Sequence, residues 1–257
     1  MRVAVAGGTG MIGKRVVAGL AAAGHEPVVL ARSRGVDLTT GECLESKLKN
    51  CDEVVDVTNI MSVSTKRAVA FFAAATRNLL DAAASAGVRH VVVLSIVGID
   101  DVDLGYYLGK REQEALVRQG PVPWTIQRAT QFHEFPEPLI DGARGPFVVV
   151  PAELSQPVSA QEVADTLVGL IGRPPAGYPQ ELAGPEQLQM SEMTRRLVKA
   201  RGERKIVLPV KLPGATGKAL AGGALLPKNE YKRGTRTFAQ YLDQVRDGAR
   251  RQPTAPA

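Results

Sequence analysis

A doubly wound α/β fold built on a parallel sheet is what this sequence predicts, and three observations carry the prediction. A short apolar run, Val3 to Ala6, breaks into Gly7-Gly8-Thr9-Gly10-Met11-Ile12-Gly13 and resumes as Met11, Ile12, Val16, Val17 and Leu20 at helical spacing. Apolar runs then alternate with amphipathic helical stretches as far as Arg128, the order that gives parallel strands with right-handed crossovers. Finally, 257 residues at 44% apolar content suffice for one large domain with a buried core.

The elements follow in order. Strand two is Pro27 to Ala31 and the next secure strand is Asp52 to Val57. A long helix, Thr65 to Ala86, puts Val69, Phe72, Ala73, Thr76, Leu79, Leu80 and Ala83 on one face, and Gly87 closes it. His90 to Leu94 is a buried strand, which places Ser95 at its C-terminal end. Gly105 to Arg118 is a helix stopped by Gly120 and Pro121, and Trp124 to Arg128 is the strand after it, with Trp124 in the core. Beyond Arg128 the residues Pro136, Pro138, Gly142, Gly145 and Pro146 break the alternation, leaving Phe147 to Val150 as an outlying strand. Helix is expected over Ala160 to Ile171, Gln187 to Ala200 and Thr237 to Arg246, and a strand at Glu181 to Ala183. Residues 202–235, rich in Gly, Pro and Lys, read as loops with short helices, and the terminal 250–257 as frayed. The expected organisation is a single Rossmann-type domain over 1–257. Its core is 1–130 plus 155–185, with substrate-side elements within 131–154 and 186–250.

Composition narrows the function. No stretch is long and apolar enough to span a membrane, and strand one begins too early to leave room for a signal peptide. Cys43 and Cys51, eight apart, lack metal-ligand spacing and read as free thiols of a reducing cytoplasm; no metal is expected. The net charge of +6 is uneven: residues 195–251 hold fifteen Lys or Arg against four acids. Those cations are scattered, without a recognition-helix pattern or aromatic interleaving, so a solvated face is preferred to a nucleic-acid surface.

Strand, glycine turn, helix is the arrangement that holds a dinucleotide pyrophosphate on backbone N–H groups at a helix N-terminus. The spacing is Gly7-x-x-Gly10-x-x-Gly13, and Gly8, Thr9, Met11 and Ile12 complete the loop. NAD-preferring folds place an acid at the end of strand two; here the chain reads Ala31-Arg32-Ser33-Arg34, which suits a 2′-phosphate. NADP(H) is therefore expected over NAD(H), the alternative being that Arg32 and Arg34 are ordinary loop charges. Asp37-Leu38 follows and is placed beside the adenine. Tyr106 and Lys110 are i and i+4, so a helix sets them on one face. A phenol beside an ammonium ionises more readily, which makes Tyr106 a proton donor to a reduced carbonyl, with Ser95 orienting the substrate oxygen and Lys110 reaching the nicotinamide ribose. Gln131 and His133, after the strand at 124–128, are substrate-side candidates, with His133 either a pocket group or a polar loop residue.

These residues resemble the short-chain dehydrogenase/reductase superfamily, in particular its atypical, NmrA-like branch of NAD(P)-binding proteins. The resemblance runs through GGTGMIG, DVTN at 56–59, NLLDAAASAGVRHVVVLSIVGID at 78–100, YYLGKREQEALV at 106–117, WTIQRATQF at 124–132 and ELAGP at 181–185. It implies that Gly7, Gly10 and Gly13 line the pyrophosphate and that Thr58 and Asn59 pass near the nicotinamide-side ribose. Ser95, Tyr106 and Lys110 take the places of the catalytic serine, tyrosine and lysine. The interval from Ser95 to Tyr106 is shorter than the superfamily's, and Tyr107 is the alternative ring at the pocket. The leading expectation is an NADPH-dependent oxidoreductase reducing a small organic carbonyl or related unsaturated substrate. A non-catalytic NADP(H) redox sensor binding a protein partner is the alternative, and a nucleotide-sugar epimerase is third. A homodimer is expected only as a superfamily habit.

Overall fold

The computed structural model describes residues 1–62 and 64–251, apart from the side chains of 249–251. In chain order the elements are β1 (Arg2–Ala6), α1 (Met11–Ala22), β2 (Glu26–Leu30), α2 (Leu44–Leu48), β3 (Glu53–Asp56), α3 (Thr65–Ser85), β4 (His90–Ile96), α4 (Gly105–Gln119) and β5 (Trp124–Ala129). Then come α5 (Glu137–Asp141), β6 (Phe147–Pro151), β7 (Leu154–Ser155), α6 (Ala160–Val168), β8 (Glu181–Ala183), β9 (Leu188–Gln189), α7 (Met190–Ala200), β10 (Ile206–Val210), α8 (Gly214–Ala221), β11 (Tyr231–Arg233) and α9 (Phe238–Arg251). They fall into two compact units, one of Met1–Ala129 with Ala160–Glu181, the other of Thr130–Ser159 with the chain from Leu182 on.

In the first unit β5, β4, β3, β1 and β2 lie side by side in that order, all parallel. β1, β3 and β4 are buried on both faces, so they read as continuous Val-rich runs rather than as alternating ones. α1 packs with α6, and α3 packs with α4. Ala4, Val54, Val91, Val93, Ile126, Leu79 and Leu80 share one core. The order turns back at β1, which has β2 on one side and β3 on the other, so the carboxyl ends of β1 and β3 open the crevice where such sheets bind ligands. The expected Gly87 stop holds: its φ is +73° and its N–H reaches the Ala84 carbonyl.

In the second unit β6 and β10 pair in parallel, Phe147 opposite Ile206, and β7 and β9 pair antiparallel. Val148, Val150, Met193, Leu197, Phe238 and Leu242 form its core. The reading of 202–235 as loops with short helices missed β10 and β11. Pro209 argues against a strand, yet a two-stranded ribbon has open edges where a residue without an N–H is tolerated. The region expected to be helical from Gln187 begins instead with β9, and the helix starts at Met190. The expectation of frayed residues at the terminus falls mainly on 252–257, outside the described residues. Among the described residues no helix is long and apolar enough to cross a membrane, no group of acidic, His or Cys side chains could hold a metal, and both cysteines are free thiols.

Candidate active site

The glycine turn between β1 and α1 is a cradle closed to any side chain. Gly7 has φ +76°, a conformation that an L side chain rarely adopts. A Cβ on Gly13 would fall inside the Gly7 carbonyl oxygen and against Gly8 Cα. Gly10 caps α1 in extended conformation without a side-chain hydrogen bond, so the N-cap residue leaves the first amides of the helix open. Thr9, Gly10 and Met11 are exposed on this turn, whereas Gly8 and Ile12 are buried beneath it. The loop after β3 forms the wall: a Cβ on Gly7 would meet Val57 O and the backbone of Thr58 at 3.0 to 3.1 Å. Thr58 is itself buried and its Oγ1 has no hydrogen-bond partner. A cradle that a Cβ would fill, an uncapped helix start and an orphaned hydroxyl in the adjoining wall fit a dinucleotide. Gly7, Gly10, Gly13, the first amides of α1, Thr58 and Asn59 are the groups that would hold it.

At the other end of that crevice the chain leaves β2 into a single turn, Arg32-Ser33-Arg34, all three exposed and none acidic. Gly35 ends the turn in the left-handed region. Asp37 Oδ1 is taken by its own loop, accepting from Thr39 N at 2.8 Å and Thr39 Oγ1 at 2.7 Å. Those bonds, with Arg32 adding to them, hold its carboxyl below the usual range. Leu38 is buried in the core, and its carbonyl accepts from Asn78 Nδ2.

Helix α4 carries two of the candidate catalytic residues, Tyr106 and Lys110. Its inward stripe holds Tyr107, Lys110, Gln113, Glu114 and Val117, so polar groups sit where a helix of this period buries apolar ones. Tyr106 is half-buried and donates its hydroxyl to Asn59 Oδ1 at 2.8 Å, while Tyr107 is buried with its ring edge-on to Tyr106 at 5.5 Å. Lys110 Nζ donates to Leu94 O at 2.6 Å and to Gln113 Oε1 at 2.5 Å, and lies over the Phe72 ring at 5.1 Å. Gln113 in turn donates to Asp56 Oδ2 at 2.9 Å, and Asp56 Oδ1 accepts from Thr58 N at 2.9 Å. Burial pushes Lys110 down to about 8, against the opposing pull of Asp56 and Glu114.

Two expectations change here. The ammonium of Lys110 does not make the Tyr106 phenol easier to ionise: burial raises that phenol well above its ordinary value, and the cation directs its hydrogen bonds to Leu94 and Gln113. Ser95 is not at the open end of its strand. β4 runs on to Ile96, and Ser95 is 2% exposed, opposite Arg128 in the register. Its Oγ makes no hydrogen bond by distance and angle, though it lies close enough to Glu114 to help lower that carboxyl. Glu114 is clamped by Arg128 Nε and Nη2 at 2.9 and 2.7 Å and accepts from Tyr178 at 2.8 Å. Arg128 Nη1 lies 2.9 Å from Asp100. Burial would raise Glu114, but Arg128, Ser95 and Tyr178 together outweigh it and hold the carboxyl below its usual range. This clamp pins α4 to the end of β5 above Ser95.

Gln131 and His133 belong to the second unit. His133 is buried, within 3.1 Å of Pro157 O through Nε2 and against the rings of Phe238 and Tyr241, so it is an interior residue rather than a pocket base. Gln131 is buried with both amide atoms free of hydrogen-bond partners. Sequence reasoning missed Asp56, Gln113, Glu114 and Arg128, although Gln113 and Glu114 stand three and four residues after Lys110, on its own helix face.

Residues 33–174, more than half of the chain, match the model of an NAD(P)H-binding family. The chain belongs to that family. A relative from Streptomyces griseus, named (4-alkanoyl-5-oxo-2,5-dihydrofuran-3-yl)methyl phosphate reductase, is 29% identical over 216 residues, 77% of this chain and 73% of its own. Among solved structures, the NADPH-dependent quinone oxidoreductase QOR2 of Escherichia coli, complexed with NADPH, superposes with a TM-score of 0.70 at 18% identity, covering 95% of this chain and 99% of that one. The UDP-N-acetylglucosamine 4-epimerase of Bacillus cereus reaches 0.71 at 19% identity, over 100% and 99%. At such identities the two structures bear on the fold alone. The family assignment makes this an NAD(P)H-binding protein, and the Streptomyces griseus relative is named as a reductase.

Proposed function

We propose that this protein reduces a small conjugated carbonyl compound with NADPH as the hydride source. One observation carries the reading: the glycine cradle and the turn that would meet the adenosine ribose are both present, and that turn offers two exposed guanidiniums and a hydroxyl instead of a carboxylate. A carboxylate at this point would repel a 2′-phosphate; Arg32 and Arg34 attract it. Reduced nicotinamide, when bound, supplies hydride.

The chain's part is to hold the substrate oxygen and deliver a proton. Tyr106 is the group for this. Its raised pKa keeps the phenol protonated across neutral pH, and its one hydrogen, donated to Asn59 Oδ1 in the free site, turns to the substrate oxygen when substrate binds. As charge develops on the substrate oxygen, the phenol hydrogen bond strengthens and the proton is passed to the enolate or alkoxide. Arg128 and Glu114 hold the helix that carries it. The Streptomyces griseus relative supports a conjugated substrate, because the dihydrofuranone in its printed name has a ring double bond conjugated with two carbonyl groups on one of its carbons.

The test is a fluorescence titration with NADPH, NADH, NADP and NAD, followed by NADPH oxidation with an acylated butenolide and a small quinone. The reading expects NADPH to bind more tightly than NADH. Replacing both Arg32 and Arg34 by Ala should cost NADPH affinity about tenfold or more while leaving NADH unchanged. Tyr106→Phe should lower kcat by about a hundredfold with little change in cofactor affinity. Cofactor binding with no oxidation by any activated carbonyl would favour the sensor reading instead. Equal affinity for NADPH and NADH would sink the assignment to Arg32 and Arg34.

A further inference from the structure

The ammonium of Lys110 is buried, 4% exposed, and two of its hydrogens are committed. One goes to the Leu94 carbonyl at 2.6 Å, near the end of β4. The other goes to Gln113 Oε1 at 2.5 Å. Gln113 is fully buried, and its amide can sit only one way. The carbonyl must face the ammonium, which has no acceptor, and the NH₂ must face Asp56 Oδ2, which has no proton to give. Asp56 then passes the constraint on through its other oxygen, accepting from the amide of Thr58 at 2.9 Å. Thr58 is the backbone against which Gly7 packs, and Asn59, the next residue, orients the Tyr106 hydroxyl.

We propose that Gln113 is a positioning residue that couples Lys110 to the wall of the dinucleotide cradle, and that Lys110 acts in this chain through Gln113 and Asp56 on Thr58 and Asn59 rather than on the phenol. This rests on the reading that the cradle holds NADPH. The run Lys110–Gln113–Asp56–Thr58 joins α4 to the loop after β3 by three buried hydrogen bonds whose polarity is fixed at every link. A positive and a negative charge each hydrogen-bond to one neutral amide between them, so loss of that amide removes a buried charge-assisted hydrogen bond from both.

The fixed polarity supplies a test by exchange. Gln113→Glu alone sets a carboxylate against the Asp56 carboxylate. Asp56→Asn alone leaves one oxygen to serve both Thr58 N and Gln113 Nε2. Together they rebuild every link. The carboxylate introduced at position 113 accepts from Lys110 and, on its other oxygen, from the side-chain amide introduced at position 56. The carbonyl of that same amide accepts from Thr58 N. The charge count is unchanged.

The experiment is NADPH titration of the full chain for wild type, Gln113→Leu, Lys110→Met, the Gln113→Leu/Lys110→Met pair, each polar single exchange and the double exchange, with a melting curve for each. Gln113→Leu and Lys110→Met should each weaken NADPH binding about tenfold, and the pair about tenfold as well, because they cut the same run. Each polar single exchange should weaken it similarly, and the double exchange should return to within about threefold of wild type.

The pH profile adds a readout that packing alone would not move. The charges facing Lys110 are Asp56 from β3 and Glu114 from its own helix, the latter held by Arg128; α3 and β4 present the Phe72 ring and the Leu94 carbonyl. Lys110 loses its proton near pH 8, so NADPH affinity should decline above that value in wild type. It should decline at higher pH in the double exchange, where the anion stands one link nearer. Failure of the double exchange to restore binding while both proteins melt alike, or strictly additive losses in the Leu/Met pair, would overturn the coupling and leave NADPH binding itself standing. If the wild type binds no nicotinamide cofactor, the coupling and the function reading fall together.

Discussion

β3 carries a buried carboxylate at each end, Glu53 and Asp56, with Val54 and Val55 between them, and the two do opposite jobs. At the amino end, Glu53 accepts from Gly172 N at 3.1 Å and lies 3.5 Å from His90 Nδ1. His90 Nε2 meets Thr125 Oγ1 at 2.8 Å, which also accepts from Ala176 N at 2.9 Å. This set ties the chain after α6 to the feet of three neighbouring strands, and none of its members lies in the glycine cradle or its wall. At the carboxyl end, Asp56 serves a loop amide and, through Gln113, a buried ammonium beside the cradle. The same strand thus devotes one carboxylate to architecture and one to the site. What separates them is only which end of a parallel sheet they occupy, because ligands gather outside the carboxyl ends.

The sharpest way to break the cradle end is Gly13→Ala. Its methyl would fall inside the Gly7 carbonyl, so the turn must open. NADPH affinity should drop by about a hundredfold and the melting temperature should fall with it, as overpacked turns cost about 1 to 3 kcal/mol. Retained affinity would mean that the turn is far more pliant than its geometry implies. At the other end Glu53→Leu should do the reverse. It leaves Gly172 N without its acceptor and removes the carboxylate beside the His90 ring, costing about 1 to 3 kcal/mol in a denaturant titration while NADPH affinity changes little. A large loss of affinity in that variant would erase the division between the two ends. The smallest effect belongs to Ser95→Ala, which removes a hydroxyl that makes no hydrogen bond by geometry. Stability should move by less than about 1 kcal/mol, and turnover should stay near wild type. A hundredfold loss of kcat there would return Ser95 to the reacting oxygen.

The cradle was readable because its requirements are sterically absolute: a strand ending at Ala6 and followed by Gly7, Gly10 and Gly13 leaves room for little but a tight turn into a helix. Buried β strands and the long α3 were readable for the same reason, since Val runs and a 3.6-residue apolar period are direct imprints of burial. Lys110 and Tyr106 could be picked out by spacing, but not what they bond to. A lysine and a tyrosine one turn apart invite the assumption that they face each other. Only the fold shows that Leu94 and Gln113 claim the lysine. Gln113 and Glu114 were hidden by a helix whose sequence is polar enough to look solvent-exposed, and the clue was their place on the stripe from Tyr107 to Val117. Asp56 read as strand because its neighbours are Val. Ile206–Val210 escaped because the pairing with Phe147–Pro151 is made across fifty-odd residues, and no local pattern announces a partner that distant.

The Arg32-Ser33-Arg34 turn has a practical corollary. All three side chains are exposed, and the turn ends on a left-handed Gly35 before the buried Val36 resumes the core. On the proposed reading, recognition of the adenosine end is therefore written on a segment that contributes no side chain to the interior. Such a segment can be rewritten, with an acid at 32 or 34 in place of a cation, at little cost to folding. Coenzyme choice, so read, is a detachable label, open to retuning by design or by drift, while Gly7 and Gly13 behind it leave no room for a side chain.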